Sequence, residues 1–279
     1  YLPPRAHVLT VGDQEFNARM LAERASYLAR VGNEQAQRTP AEEAATSLIR
    51  QEVLLQVGAG QVDDVTDEDV RVAVAENLEL GEEYADEEFA TALQNYLQAT
   101  SLSRDEHEQL TRAGVIERRL EAQFQETLPE VGEQMNLQRV LTPSRGLAQS
   151  LIEAVRGGQD FAEAAVDLGV VSNPEEEVQQ LGWFAPSILP DRIAPAVASL
   201  QTGDISEPIE DSNRIGFEVY VVVERTSDEP YEEIVRTQLS RRALDEWMEE
   251  QETTMGIERN LTSSDMDWIR RQVQAALRG

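Results

Sequence analysis

The stretch Leu181–Arg225 constrains this chain most. It opens on Leu181-Gly182-Trp183-Phe184, passes Pro186, Leu189, Pro190 and Ile193, and reaches Thr202-Gly203-Asp204-Ile205-Ser206-Glu207-Pro208. It closes on Ile215-Gly216-Phe217-Glu218-Val219-Tyr220-Val221-Val222-Val223-Glu224-Arg225. The closing run is β-branched and aromatic, the composition of a strand in a sheet. Glycine and proline punctuate what precedes it into an aromatic-lined strand, a short helix and a turn. The sequence on either side reads as helix. The expected fold class is therefore α+β, a compact module inserted into an all-helical frame.

Length and charge narrow the function. At 279 residues the chain holds about two domains of the usual ~100–200 residues. With 41% apolar residues it can build cores, and with 5% aromatics those cores are aliphatic. A formal charge of −29 argues against nucleic acid and against anionic membrane surfaces, both of which need concentrated basic side chains. Such acidity reads as solubility, or as repulsion between copies and steering of basic clients. All 24 basic side chains are arginine. The absence of cysteine removes disulfides, zinc–thiolate sites and thiol catalysis, and suits an oxidising compartment. No apolar run is long enough to span a membrane. The opening Tyr1-Leu2-Pro3-Pro4 reads as a mature start, with a removed signal or anchor left open.

Helix signals recur along the chain. Val8–Val11 is a short strand or arm, and the turn at Gly12-Asp13 leads into a helix to about Val31, with Phe16, Met20, Leu21, Ala25 and Leu28 on one face. Thr39-Pro40-Ala41-Glu42 starts a helix with Thr as N-cap and Pro in the first position. Thr66-Asp67-Glu68-Asp69 and Ser103-Arg104-Asp105-Glu106 are capping boxes. Helices are expected at about 86–98 and 103–125, and Pro129 and Gly132 punctuate a boundary. A strand at Gln138–Leu141 precedes helices at about 146–156 and 161–168, and Glu175-Glu176-Glu177 reads as an exposed loop. A helix over about 231–253 carries Ile234, Leu239, Leu244, Trp247 and Met248, and a last helix covers 266–277. His107, on an acidic helix, is expected at the surface. The acids at Asp63-Asp64 and Asp67–Asp69 lack calcium-loop spacing and read as a solvated helix start. No metal or cofactor is expected.

Four ordered motifs carry a resemblance. Gly158-Gln159-Asp160-Phe161-Ala162-Glu163-Ala164-Ala165 is similar to a G-x-D-F-A-x-x-A helix entry. Leu181-Gly182-Trp183-Phe184 is similar to G-D-L-G-W-F, and Gly203–Pro208 to G-x-I-S-x-P. Gly216-Phe217-Glu218-Val219 stands where a Gly-aromatic-His-Ile segment is usual. Together they resemble the parvulin-type (rotamase) peptidyl-prolyl isomerase domain over 139–225. Val11–Phe16 and Leu48–Leu55 resemble segments of SurA-like and PrsA-like extracytoplasmic foldases. The resemblance implies a four-stranded antiparallel sheet with helices, in three parts: a helical chaperone domain over 1–131, a parvulin-like domain over 132–228, and C-terminal helices over 229–279 that return to the N-terminal domain.

The chemistry implied needs no nucleophile or metal. The amide rotation barrier is ~18–20 kcal/mol, and a catalyst lowers it by favouring the twisted amide over the planar one. The resemblance implies an apolar proline pocket over a polar cluster containing two histidines. Leu189 and Ile193 fall at the pocket positions, with Trp183 and Phe184 beside them; ordinary core packing is the other reading of all four. The chain has only two histidines, His7 and His107, both outside this segment. Arg139 and Glu218 occupy the family's histidine positions, and either pair as a salt bridge or stand as separate solvent-facing charges. Asn173 or Glu175, Gln180, and Asn213 or Arg214 fall at the remaining polar positions.

The expected function is an extracytoplasmic folding factor with weakened or absent isomerase turnover, binding unfolded or proline-containing polypeptides. Its client groove is expected between N- and C-terminal helices, near Leu48, Leu55 and Trp247. The alternative is a non-enzymatic holdase that uses the parvulin module as a scaffold. A homodimer formed by exchange of helical arms is also open.

Overall fold

The structure, a computed structural model, describes residue 5, residues 7–81 and residues 83–278. Tyr1–Pro4, read above as a mature start, lie outside the described residues. The fold is mixed α and β, and two compact units divide it: Phe124–Arg242 is one, and Tyr1–Gln123 with Ala243–Gly279 the other.

The unit of residues 124–242 is built on an antiparallel sheet in the order β4-β3-β6-β5. Its strands are β3 (Gln134–Thr142), β4 (Gln179–Phe184), β5 (Ile209–Glu210) and β6 (Phe217–Thr226). β3 and β6 pair from Gln134↔Thr226 to Thr142↔Phe217, with a bulge at Asn136/Leu137. Side chains alternate across a strand, so each of these two strands serves two cores. Val140, Val219 and Val221 face α7 (Arg145–Arg156) and α8 (Phe161–Asp167), meeting Leu151, Ile152 and Phe161. Met135, Leu137, Tyr220 and Val222 face the other way, against Leu189, Ile193 and Val197. Burial on both faces explains why Val219–Val222 is apolar without alternation. Gly216 is required where β6 begins: a Cβ there would lie 2.3 Å from the Thr142 carbonyl oxygen.

Local chemistry sets the helices. Ser144 caps α7, and Asp160 caps α8 by accepting from the amides of Ala162 and Glu163. Glu175–Glu177, expected as loop, form one helical turn, α9 (Pro174–Glu177). Asn173 accepts from the Glu175 amide, and Pro174 supplies a helical φ at the first position. The β3 strand is longer than expected because pairing with β6 carries Gln134–Leu137 into the sheet. A short α10 (Ala194–Val197) lies between β4 and β5.

The other unit opens with a hairpin, β1 (His7–Val11) and β2 (Gln14–Asn17), where helix was expected from the turn onward. Gly12 at φ +56° makes the turn, and Phe16 lies in β2. Helix begins only at Ala18, because Asn17 accepts from the amides of Arg19 and Met20. There follow α1 (Ala18–Arg30), α2 (Glu34–Arg38), α3 (Pro40–Gln56), α4 (Asp67–Asn77), α5 (Asp86–Thr100) and α6 (Arg104–Thr127), which crosses into the other unit. Pro40 starts α3 as expected, but Thr39 makes no side-chain cap; its hydroxyl turns back to Gln35. The boxes at Thr66–Asp69 and Ser103–Glu106 close as read.

After α11 (Glu233–Thr254), β7 (Glu258–Arg259) adds to β1, and α12 (Ser263–Ala276) packs on α1 and α3. Ile269 and Val273 of α12 are buried. On α11 the buried apolar residues are Val235, Leu244 and Met248, whereas Ile234 is exposed and Leu239 half-buried. One expected stripe residue is thus replaced by its neighbour. His107, expected at the surface, is only 5% exposed. It stands in the first turn of α6 with its ring edge-on to Tyr96.

Candidate functional site

The site is built on the face of the β3–β6 pair that carries Tyr220 and Leu137. Period two places Arg139 and Leu141 of β3 on that face, opposite Tyr220 and Glu218 of β6. Glu218 is 2% exposed, and both its oxygens are engaged. Oε1 lies 2.5 Å from Arg139 Nη1. Oε2 lies 2.5 Å from Arg192 Nη2 and accepts from the Tyr220 hydroxyl at 3.0 Å. Arg139 also donates from Nε to Gln179 Oε1 at 3.0 Å, and Arg192 to the Glu210 carbonyl at 3.0 Å. Burial, and then the bond to Glu218, push the Tyr220 phenol above the ordinary tyrosine range.

Arg139 and Glu218 therefore form a salt bridge, the first of the two arrangements their positions allowed. Arg192, Tyr220 and Gln179 complete it, and the sequence reading did not name them. Tyr220 was accessible to a period-two argument, two residues beyond Glu218. Arg192 comes from the loop that also carries Leu189 and Ile193, and no spacing rule links a loop residue to a strand face.

The apolar residues lie beside this cluster. Leu189 and Ile193 are 3% and 6% exposed and belong to the core over Met135, Leu137 and Val222. Phe184 packs against the same core while half-buried, and Trp183 is also half-buried. Asn173 and Glu175 make local bonds in the turn before β4, and Glu177 accepts from the Asn173 amide at 2.9 Å. Gln180 is bonded to Gln138 on β3. Asn213 and Arg214 are exposed in the turn before β6.

This arrangement restricts the chemistry. A guanidinium has no lone pair to accept a proton and stays charged. The carboxylate is occupied by two guanidiniums and a phenol. No group in the cluster is free to shuttle protons, while the apolar ledge beside it remains.

The family model of the PPIC-type PPIase domain, or rotamase, matches residues 128–224. This segment is a PPIC-type rotamase domain. Foldase protein PrsA 4 of Bacillus cereus is 23% identical over 138 residues, which is 48% of this chain and 49% of that protein. The match thus spans about half the length of that relative. Among solved structures, the peptidylprolyl isomerase PrsA of Bacillus cereus is 14% identical at a TM-score of 0.42, covering 97% of this chain and 99% of that one. One of two SurA-like chaperones of Campylobacter jejuni, PEB4 and Cj1289, is 14% identical at a TM-score of 0.27, covering 91% and 99%. In this segment Arg139 and Glu218, the residues the resemblance aligns with the family's histidine positions, are joined with Arg192 in one bridge.

One expectation outside the rotamase domain needs correction. Leu48 is 4% exposed, within the helical core rather than on a groove. Trp247 is half-buried and lies over Gly58, 3.5 Å from where a Cβ would sit there; Leu55 is also half-buried.

Proposed function

We propose that this protein is an extracytoplasmic folding factor. Its rotamase domain holds unfolded or proline-containing client segments and turns their prolyl bonds slowly. The likeness to a bacterial foldase supports the folding role. Among the described residues no helix is long and apolar enough to cross a membrane.

The observation that carries the catalytic part is the bridge from Arg139 and Arg192 to Glu218. The ledge of Trp183, Phe184, Leu189 and Ile193 is proposed to receive the proline ring, with Leu189 and Ile193 forming its floor and Trp183 and Phe184 its accessible part. The polar groups beneath are locked into a permanent ion pair. They add little preference for a twisted amide over a planar one, and only such a preference accelerates rotation.

An NMR exchange assay on an Xaa-Pro peptide, run beside aggregation suppression of a chemically unfolded client, tests this reading. Suppression with turnover near the uncatalysed rate is expected. The double variant Arg139→His with Glu218→His is expected to raise turnover. Wild-type turnover equal to that of a histidine-bearing rotamase overturns the catalytic part, and failure of both assays overturns the whole. Pairing of two copies through exchanged helical arms is a finer form of the proposal. A single-copy mass in light scattering removes it.

A further inference from the structure

A cavity of about 280 Å³ lies among α4, α5 and α6, in the unit that does not contain the rotamase domain. Its floor is apolar, made by Val70, Val74, Phe89 and Leu93. Its remaining lining is unusual for a chain of formal charge −29: Arg71, Arg104 and Arg112 outnumber Asp67 and Glu108.

The arginines are held by weak partners. Arg71 lies 2.5 Å from Asp86, whose side chain is 92% exposed. Arg112 lies 2.7 Å from Asp67, which is fully exposed, and also donates to the Val65 carbonyl. Pairs with solvated partners contribute little, so an incoming carboxylate competes with them readily. Arg104 is looser still, 4.0 Å from Glu108. Arg71 is fixed from below, its guanidinium stacked 4.5 Å over the Phe89 ring.

His107 is the second and independent observation. It is 95% buried and lines this cavity, and also a second one of about 300 Å³. Among the described residues, no hydrogen bond is made to or from its ring nitrogens, and the Tyr96 ring packs edge-on against it. The ring nitrogens are not among the fully buried atoms left without a partner, so they keep contact with solvent, where a carboxylate can reach them. Burial, and then the charge of Arg104, hold the imidazole below its ordinary value. An anion beside both groups offsets the Arg104 charge that acts on the imidazole.

We propose that this cavity binds an apolar group ending in a carboxylate, its aliphatic body on the valine and leucine floor and its carboxylate against Arg104 and His107. The volume lies near the lower bound of ligand pockets, roughly 300 Å³, so the occupant is one residue or a short acyl chain. Two sources share this chemistry: the C-terminal residue of a polypeptide and a free short-chain carboxylic acid. The proposal does not depend on the folding-factor reading.

The test follows the histidine ring signals of the full chain by NMR, where His7, which lines neither cavity, is the internal reference. N-acetyl-leucine, its amide and hexanoate are titrated separately. A saturable shift of the His107 ring by either acid, without one from the amide, upholds the class. The tighter of the two acids assigns its source. Arg104→Gln is expected to weaken binding about tenfold or more, as loss of a charged hydrogen bond does, whereas Arg19→Gln on α1 leaves it unchanged. Equal binding of the amide, no saturable shift with either acid, or unaltered affinity in Arg104→Gln overturns the proposal. The amide comparison needs no variant and stands even if Arg104→Gln folds poorly.

Discussion

Glu218 shows what it takes to hold one charged side chain inside a sheet. Its carboxylate lies within a sheet core and is tolerated there because two guanidiniums and a phenol engage both oxygens. Removing the charge leaves two arginines without their counter-ion. Fully buried pairs lose about 3–5 kcal/mol on such a change. Arg139 and Arg192 are partly exposed, so Glu218→Gln is expected to cost at most about 3 kcal/mol, read as a lower denaturant midpoint. His107 makes a second residue-scale prediction. Its folded-state pKa lies below the ordinary 6.5, chiefly through burial. The unfolded chain therefore takes up the proton first as pH falls, so this contribution to stability is whole above the ordinary value and is lost on acidification through it. Urea unfolding at pH 8 and pH 5 is expected to show a smaller acid loss in His107→Gln than in the wild type. Arg139 and Glu218 were legible in the sequence as a possible pair. The burial of His107 was not, because its neighbours on α6 are charged and its cover comes from α5.

At the scale of elements, sequence signals differed in how local they were. The Thr66 box needs only its own four residues, and both reciprocal bonds form. Thr39 carries the same type of signal, but α2 ends immediately before it and draws its hydroxyl to the Gln35 carbonyl. Thr66→Ala is accordingly expected to cost about 1 kcal/mol. Thr39→Ala is expected to cost much less; equal losses in melting experiments would contradict the assignment. The hairpin at Gly12 was misread for a related reason. Phe16 fits a helical spacing with Met20, but pairing of Leu9 with Phe16 across the turn takes it into a strand. Strand pairing is a contact between segments, and periodicity within one segment does not report it.

At the scale of the whole molecule, the C-terminal residues complete a unit begun at the other end of the chain. Leu244, Met248, Ile269 and Val273 are at most 2% exposed. Burying each contributes about 1.5–3 kcal/mol, and together they rival the ~5–15 kcal/mol that separates a folded domain from its unfolded state. A chain ending at Arg242 is therefore expected to lose the cooperative melting of α1 and α3, followed by circular dichroism. A melting transition unchanged in amplitude would show that α12 is dispensable.

The sequence by itself determined the rotamase segment, its strand and helix order, the caps and the missing histidines. These depend on residue type and short spacing, which local chemistry reads directly. Only the tertiary structure decided that Arg192 joins Glu218, that Leu189 and Ile193 are buried in a core, and that His107 lines a cavity with three arginines. Each of those is a meeting of side chains from separate elements. Burial and charge pairing there are set by what packs across the gap, not by the residues next along the chain.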